Sequence, residues 1–377
     1  MRGKKKNNHN LVVIVVLLAL SILVYFLFPK PPVSIKSFDK RAVWLSYEDL
    51  SSLSYHSKEE FQKDFNHVIE TISKYQINTV IVQVRPFADA LYDSKLFPVS
   101  QVITHRSSLD FDPLKEMIDL AHKQDIMIEA WLNPYRICLN EQTYQQFMKT
   151  SKASWLKDKN LTIQYNEYGY IFNPASQQVR DYVVDGVREI VKNYDVDGIH
   201  FDDYFYVNGT HKNTTKEERL DYVNILIQDV YYSIKNIKKD VTFGISPQGN
   251  YENCMNEGAD VETWLKEDGY VDYIMPQIYW SDQYGKDGQT TMFSDRSKLY
   301  AKLERHSKVK LYAGLALYHA GKDLDNDLGW SMSSDNISKQ IQILHDHGYT
   351  GYCLFRYSYL QKEAGQKEMD ELLRVHP

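Results

Sequence analysis

Two adjacent carboxylates follow a short apolar run near the middle of this 377-residue chain. The segment Asp195–Tyr206 reads DVDGIHFDDYFY, and its GIHF run is predicted to be a short buried strand, with Asp202 and Asp203 directly after it. Because side chains alternate along a strand, His200, Asp202 and Tyr204 would share one face, and the second acid would reach the same cleft only where the strand ends. A buried carboxylate without a partner is costly, so the pair is expected either to anchor the next loop or to do acid–base chemistry.

Polar and aromatic side chains also close four other predicted strands. These residues are Gln83 and Arg85, Trp131 and Asn133, Ser246 and Gln248, and Gln277, Tyr279 and Trp280. In barrels built from parallel strands, active sites lie at the carboxyl ends of the strands. The hydroxyl groups of a sugar make hydrogen bonds, and the C–H face of its ring packs on aromatic side chains. The pattern therefore predicts a polar cleft, lined with aromatic rings, that suits a carbohydrate.

Eight β-rich runs alternate with amphipathic helical stretches from residue 41 onward. The runs are Ala42–Leu45, Thr79–Val84, Ile126–Leu132, Gly198–Phe201, Val241–Ile245, Tyr273–Ile278, Lys310–Leu315 and Tyr352–Phe355. Apolar residues recur between them at helical spacing, as in the set Phe61, Phe65, Val68, Ile69 and Ile72. Eight strands, each followed by a helix, predict an α/β fold and favour a closed (β/α)8 TIM barrel over an open doubly wound sheet. No Gly-x-Gly-x-x-Gly motif follows the first strand, which also disfavours a dinucleotide-binding fold.

An uncharged apolar run, Leu11–Phe28, precedes the barrel segment. As a helix, these residues would extend over about 27 Å, enough to cross the hydrocarbon core of a bilayer. The basic residues before the run predict a cytoplasmic N-terminus, and the missing small-residue cleavage pattern favours a retained signal anchor over a cleaved signal peptide. We therefore predict a basic cytoplasmic tail at 1–10, a transmembrane signal anchor at 11–28, a Pro-rich linker at 29–40 and an outer barrel domain at 41–377.

The charge and the cysteines exclude several classes of partner. Residues 1–30 contain five Lys/Arg and no Asp/Glu, so the rest of the chain has 39 basic and 50 acidic residues, a net charge of −11. Such an acidic domain is not expected to bind nucleic acid or anionic lipid. The three cysteines, Cys138, Cys254 and Cys353, form no metal-binding or disulfide pattern, and we expect them to be buried free thiols.

Seven ordered segments resemble the motifs of the bacterial glycosyl hydrolase-like family 10. They are RAVWLSYEDL, NTVIVQVRPFADALY, EAWLNPYR, DGIHFDDYFY, GISPQGN, VDYIMPQIYW and YAGLALYHAG. The resemblance extends from about Arg41 to Tyr359. It implies a (β/α)8 barrel, a catalytic domain outside a bacterial cell membrane, and hydrolysis of glycan strands. For some members the implied substrate is peptidoglycan stripped of its peptides.

The resemblance also assigns candidate site residues. Asp202 and Asp203 would be catalytic. Residues of the same motifs that would bind substrate are Gln83, Arg85, Asp89, Trp131, Asn133, Tyr135, Arg136, Gln277 and Tyr279, and strand-end positions add His200, Tyr204, Gln248 and Trp280. Glu129 is a weaker candidate for an essential acid, because its strand position suits one but relatives more often have His or an apolar residue there.

A looser similarity connects the fourth strand to chitinase-type barrels of glycoside hydrolase family 18. Those barrels carry Asp-x-x-Asp-x-Asp-x-Glu, and this chain has Asp197, His200, Asp202 and Tyr204 at the four positions. Tyr204 therefore stands where that family has its catalytic Glu. The mechanism stays open between two protein carboxylates and the N-acetyl group of the substrate acting as the nucleophile.

Two other functions remain open from the sequence. A metal-dependent polysaccharide deacetylase also has Phe-Asp-Asp at a strand end, but it needs two histidines about four residues apart for its metal site, and none of the 12 histidines here are so spaced. The second alternative is a barrel that binds glycan without cleaving it, because the sequence does not place a second carboxylate. The predicted partners are a polysaccharide and, through residues 11–28, a lipid bilayer. No cofactor or metal is predicted, and protein partners stay unknown.

Overall fold

The computed structural model describes residues 32–156, 158–165, 169–207, 209–211 and 213–377. The predicted membrane anchor at 11–28 lies outside these residues, and no helix in the described part of the chain is long and apolar enough to cross a membrane. Ser34–Pro377 forms one compact unit, in which Ile35 and Phe38 are buried. The end of the segment predicted as a linker therefore belongs to the folded unit, which begins before Arg41.

Eight parallel strands close into a barrel, and the predicted (β/α)8 fold is confirmed. In the described residues the strands are β1 (Lys40–Leu45), β2 (Thr79–Arg85), β3 (Met127–Leu132), β4 (Arg136–Cys138), β5 (Thr162–Gln164), β6 (Tyr170–Phe172), β7 (Gly198–Phe201), β8 (Thr242–Ile245), β9 (Tyr273–Ile274), β10 (Lys310–Leu315) and β11 (Gly351–Leu354). The order around the barrel is β1, β2, β3, β7, β8, β9, β10 and β11, and β11 pairs with β1. All eight predicted strand positions are found.

Helices connect the barrel strands. In the described residues they are Tyr47–Leu50, Lys58–Lys74, Gln101–Thr104, Pro113–His122, Glu141–Met148, Gln177–Asn193, Lys216–Ile237, Tyr251–Asn256, Val261–Lys266, Met292–Lys302, Gly329–Met332, Asn336–Asp346 and Glu363–Val375. The helix Lys58–Lys74 begins after Ser57, whose side chain accepts a hydrogen bond from the backbone N–H of Glu60. Its buried residues are Phe61, Phe65, Val68, Ile69 and Ile72, the face that the apolar spacing predicted.

A small antiparallel sheet lies between β3 and the helix Gln177–Asn193, and the sequence analysis missed it. Its strand order is β4, β6, β5. Each strand has three residues, which is too short for an alternating apolar pattern to be recognised. The sheet matters for the site because β4 begins at Arg136, one of the candidate substrate-binding residues.

The sixth barrel strand is shorter than predicted. The sequence indicated Tyr273–Ile278, whereas β9 covers Tyr273–Ile274. Pro276 has no N–H to donate to a neighbouring strand, so the ladder is interrupted there. Parallel pairing returns at one residue, Gln277, which bridges to Gln248 and Gly314 and stays in line with the barrel.

The barrel interior combines aromatic packing with a buried polar chain. The hydroxyl of Tyr273 donates a hydrogen bond to Glu129 Oε2 at 2.5 Å, and Lys40 Nζ forms an ion pair with the other oxygen of that carboxylate. On the opposite side, the Tyr273 hydroxyl lies 2.7 Å from His200 Nδ1. Trp44 Nε1, which can only donate, lies 3.3 Å from His200 Nε2, so this nitrogen accepts and the imidazole is neutral. Burial accordingly lowers the pKa of His200 well below its ordinary value.

Candidate active site

An open cavity of about 340 Å³ lies at the carboxyl ends of the barrel strands. Its lining residues are Trp44, Ser46, Tyr47, Glu48, Gln83, Trp131, Arg136, Asp202, Asp203, Tyr204, Ser246, Gln277, Tyr279, Phe355 and Arg356. Nine of the residues selected from the sequence are among them: Gln83, Trp131, Arg136, Asp202, Asp203, Tyr204, Ser246, Gln277 and Tyr279. The mixture of carboxylates, cations, amides and aromatic rings has the character of a sugar-binding cleft.

Asp202 is buried at the cavity wall and is held by three N–H donors. Trp131 Nε1 and Asn133 Nδ2 both donate to its Oδ2, at 3.0 and 3.1 Å. The backbone N–H of Tyr204 donates to Oδ1 at 3.2 Å. Asn133 does not line the cavity, but its hydrogen bond holds this carboxylate in position. Three donors favour the ionised form and leave Asp202 little freedom to turn.

Asp203 reaches the same cavity, although alternation along a strand would send it to the opposite face. The reason is that β7 ends at Phe201, so the backbone is no longer extended at the second acid. Gln277 Nε2 donates to Asp203 Oδ1 at 3.1 Å and to the carbonyl oxygen of Ser246 at 2.9 Å. Asp203 is only partly buried.

The two acids disturb each other's ionisation. Burial raises the pKa of both, and the charge of Asp203 adds to the increase at Asp202. A third carboxyl group, Glu257, extends this cluster, because burial and the charge of Asp203 raise its pKa to about 7. Gln248 Nε2 donates to Glu257 Oε2 at 2.5 Å and its side chain also lowers the pKa of Asp203. The cluster can therefore hold a proton close to neutral pH.

Arg136 enters the cavity from β4. Its guanidinium carbon lies 4.8 Å from the ring centre of Phe87 and 4.9 Å from that of Tyr204. Its backbone N–H donates to Asn133 Oδ1 at 3.0 Å. Nε of Arg136 is buried and has no hydrogen-bond partner among the described residues. Its charge lowers the pKa of Asp202 and Asp203.

The wall that follows β1 and β11 was missed by the sequence analysis. Arg356 Nη2 forms an ion pair with Glu48 at 2.5 Å, and its Nη1 donates to Ser46 Oγ at 2.7 Å. The backbone N–H of Tyr47 donates to Gln83 Oε1 at 2.9 Å, which ties this wall to β2. The signal that revealed the other strand ends was also present here, since the polar run SYED follows the first strand and Arg356 follows the last.

Arg85 was predicted to contact sugar, but it does not line the cavity. It is fully buried, and its Nη2 donates to the carbonyl oxygens of Asn133 and Pro134 at 3.0 and 3.3 Å. A β-bulge between Gln83 and Arg85 causes the difference, because the extra residue places Arg85 opposite Leu132 and reverses the face that it occupies. Arg85 instead supports the strand end that carries Asn133.

Five other candidates also lie outside the cavity wall. Asp89 lines a separate, smaller cavity, and burial raises its pKa to about 6. Tyr135 is completely buried. Gln248 donates to Glu257 and lowers the pKa of Asp203 without lining the cavity. The carbonyl oxygen of Trp280 accepts a hydrogen bond from Gln340 Nε2 at 3.0 Å. His200 sits deeper in the barrel than the cavity, 2.9 Å from Ser246 Oγ.

Glu129 was considered as a possible acid, and its position argues against this. It is the third residue of β3, so its side chain lies towards the amino-terminal end of the barrel, where it pairs with Lys40. The cavity that it lines there is also bordered by Asp197 and Asp272, and it is distinct from the one with the aspartate pair.

The cysteine prediction is confirmed: all three are free and buried. The deacetylase alternative requires a metal-ligand set, and in the described part of the chain no group of three or more His, Cys, Asp or Glu side chains could hold a metal ion. The residues around Asp202 therefore do not fit that alternative.

A closed parallel barrel with paired acids in an aromatic cleft at the strand ends defines a glycoside-hydrolase type of (β/α)8 protein. The model of the family glycosyl hydrolase-like 10 matches residues 39–332, and the chain belongs to this family. The resemblance noted in the sequence is thus confirmed.

Relatives and solved structures agree with this assignment. The chain is 30% identical to glycosyl hydrolase YngK of Bacillus subtilis over 323 residues, covering 76% of this chain and 62% of that protein. It is 28% identical to glycosyl hydrolase DigH of Escherichia coli K12, over 81% of this chain and 77% of that protein. The glycoside hydrolase domain of PgaB from Bordetella bronchiseptica shares the fold with a TM-score of 0.59, at 11% identity, over 90% of this chain and 99% of that domain.

Proposed function

We propose that this protein is a membrane-anchored, extracytoplasmic glycosidase that cleaves glycosidic bonds of a cell-wall-type glycan. The observation that carries the proposal is the Asp202–Asp203 pair, which lies in a cavity lined by aromatic rings at the strand ends of a barrel. Membership of a glycosyl hydrolase-like family supports the reaction class. Substrate and location go beyond that membership and are part of the proposal.

Asp203 is the better candidate for the proton donor. Cleavage of a glycosidic bond needs a proton on the leaving oxygen, and a carboxylic acid with a raised pKa supplies it. Three N–H groups hold the Asp202 side chain in place, whereas Asp203 accepts from Gln277 and is partly open to the cavity, where a leaving oxygen can approach it. The two carboxyl groups share a proton near neutral pH, because burial and the charge of Asp203 raise the pKa of Asp202 to about 7. The carboxylate that stays ionised stabilises the positive charge that develops on the sugar ring.

The second catalytic role has two candidates. Glu48 lines the cavity from the wall that follows β1 and could act as the second carboxylate. Alternatively, the N-acetyl group of the substrate is the nucleophile and Asp202 stabilises the ring that it forms. Replacing the acetyl group by trifluoroacetyl weakens its oxygen as a nucleophile. A steep fall in kcat with this substrate would favour the second route, and a steep fall in the E48Q variant would favour the first.

The location follows from the N-terminal sequence. The run Leu11–Phe28 would anchor the protein in the bacterial cell membrane with its N-terminus in the cytoplasm and the barrel outside. Protease added to intact spheroplasts should then degrade the barrel. Full protection of the barrel would contradict the topology, and release of a soluble barrel cut near Pro29 would indicate a cleaved signal peptide instead.

Mass spectrometry of reaction products tests the activity. Peptidoglycan strands with and without their peptides are incubated with the purified protein, and we expect shortened oligosaccharides from the peptide-free strands. The D203N variant serves as the control for contaminating hydrolases. Binding of strands without any release of products, in wild type as in D203N, would support the alternative of a glycan-binding scaffold.

A further inference from the structure

The guanidinium of Arg136 has hydrogen-bonding capacity that the described residues do not use. Its side chain has no ion pair and no hydrogen bond to those residues, and its Nε is buried without a partner. The other cavity cation, Arg356, differs in this respect, because it pairs with Glu48 at 2.5 Å and lies 3.6 Å from Asp49. An unpaired guanidinium at a cavity wall is unfavourable for folding alone, which suggests that it serves a ligand.

The guanidinium is also held in place before any ligand arrives. The rings of Phe87 and Tyr204 lie 4.8 and 4.9 Å from its central carbon. The backbone of Arg136 is fixed by its pairing with Ile171 in the small sheet and by the hydrogen bond to Asn133 Oδ1. Little conformational entropy remains to be lost on binding, so the contact with a ligand can be strong.

The chemistry of the surroundings selects the kind of ligand. A planar guanidinium fork matches a carboxylate with two parallel hydrogen bonds. The neighbouring Asp202, Asp203 and Glu48 line the same cavity and would repel a doubly charged group such as a phosphate more strongly than a singly charged one. A carboxylate can accept hydrogen bonds that the guanidinium does not make to the described residues.

We propose that Arg136 binds a carboxylate carried by a sugar of the substrate. This inference rests on the proposed glycosidase function and narrows its substrate class to acidic glycans. Two sources carry this group: the lactyl ether of muramic acid in strands without peptides, and the ring carboxylate of a uronic acid. A peptide attached to the lactyl group converts the carboxylate into an amide and removes the charge that Arg136 would recognise.

The test compares substrates that differ only in this charge. The full-length protein in detergent is given peptide-free peptidoglycan strands, the same strands with the carboxyl groups reduced to alcohols, and hyaluronan as the uronic acid glycan. We expect kcat/KM for the carboxylate form of its preferred glycan to exceed that of the uncharged form by about tenfold or more, chiefly through KM.

Variants then test whether Arg136 causes the preference for the carboxylate form of the glycan. R136M keeps an unbranched apolar chain between the two rings and should lose the preference, whereas R136K keeps the charge without the fork and should retain part of it. R374M removes an exposed, ion-paired arginine of the last helix and should leave the preference unchanged. Circular dichroism and melting temperature show whether each variant is folded.

Each outcome separates this inference from the proposed function. Equal kcat/KM of wild type for charged and reduced strands overturns the inference and leaves the glycosidase intact. If no strand is cleaved, calorimetric binding decides: carboxylate-dependent binding that R136M loses supports the inference without the activity, and binding that ignores the carboxylate overturns it. Cleavage of hyaluronan rather than peptidoglycan strands would identify the uronic acid as the source.

Discussion

The central acids at the two ends of the barrel have different kinds of partner. At the amino-terminal end, charges are paired: Lys40 with Glu129, Lys235 with Asp272 at 2.7 Å, and Lys310 with Asp39 at 3.2 Å. At the carboxyl-terminal end, the cavity acids Asp202 and Asp203 accept from neutral N–H groups instead. Among the described residues they have no ion pair with Lys or Arg.

This difference separates structure from chemistry in one barrel. A buried charge in an ion pair is stabilised by its counter-charge, so it stays ionised and is not available to bind a ligand. Carboxylates that are crowded together and buried carry raised pKa values, which is unfavourable for stability and useful for proton transfer. Carboxyl groups at the two ends of the same barrel therefore have different roles, one structural and one chemical.

The largest expected effect is on catalysis at the carboxyl-terminal end. D203N should lower kcat by about a hundredfold or more, because general acid catalysis contributes roughly that much. E129Q, the corresponding change at the other end, should leave kcat within about threefold once the folded fraction is taken into account. Both are measured by glycan release, with melting curves as the control. If E129Q and D203N lose equal activity while folded, the division between the two ends does not hold.

The next effect is on stability at the amino-terminal end. K40M should lower the free energy of unfolding by about 3–5 kcal/mol, since it leaves the buried Glu129 carboxylate without its cation. The double variant K40M/E129L removes both charges and should recover most of that loss. Urea titration of the three proteins measures this. A double variant less stable than K40M would mean that packing, rather than charge, governs this region.

A smaller effect is a pH dependence of stability that originates at the cavity. Asp202, Asp203 and Glu257 have raised pKa values when folded, so the folded protein keeps protons that the unfolded chain releases above about pH 4. Their contribution to stability is therefore greatest in acid and is lost as the pH rises towards about 7. E257Q should flatten this decline between pH 5 and 8 in urea titrations. An unchanged slope would place the titrating groups elsewhere.

The smallest effect concerns an exposed pair at the amino-terminal end. Lys310 and Asp39 are about half exposed, so water screens their attraction. K310M should change the free energy of unfolding by no more than about 1 kcal/mol. Measured beside K40M, it tests whether burial rather than pairing alone makes a charge structurally important. A loss as large as that of K40M would contradict this.

Local patterns in the sequence predicted much of the fold. The eight strand positions and the buried face of the helix Lys58–Lys74 follow from apolar spacing, which depends on neighbouring residues only. Short strands and irregular ones did not follow. Strands β4 to β6 are too short to show a period, and β9 ends early because Pro276 interrupts the ladder.

The site was predicted in part, for a related reason. Residues directly at a predicted strand end, such as Asp202 and Gln277, do line the cavity. Arg85 was misplaced because a single bulge reverses the face of every later residue in the strand, and a bulge leaves no clear mark in the sequence. Glu48 and Arg356 were not predicted, because only closure of the barrel brings the ends of the first and last strands together.

The sequence by itself determined the number and order of the barrel strands, the family, and the pair of acids that follows the fourth barrel strand, since all of these depend on residues close together in the chain. Only the tertiary structure decided which groups share a cavity and which neutralise each other. Closure of the barrel brings β1 against β11 and so places Arg356 on Glu48, far apart in sequence. The same closure pairs Glu129 with Lys40 and leaves Nε of Arg136 without a hydrogen-bond partner among the described residues, because such partners are set by distance in space and not along the chain.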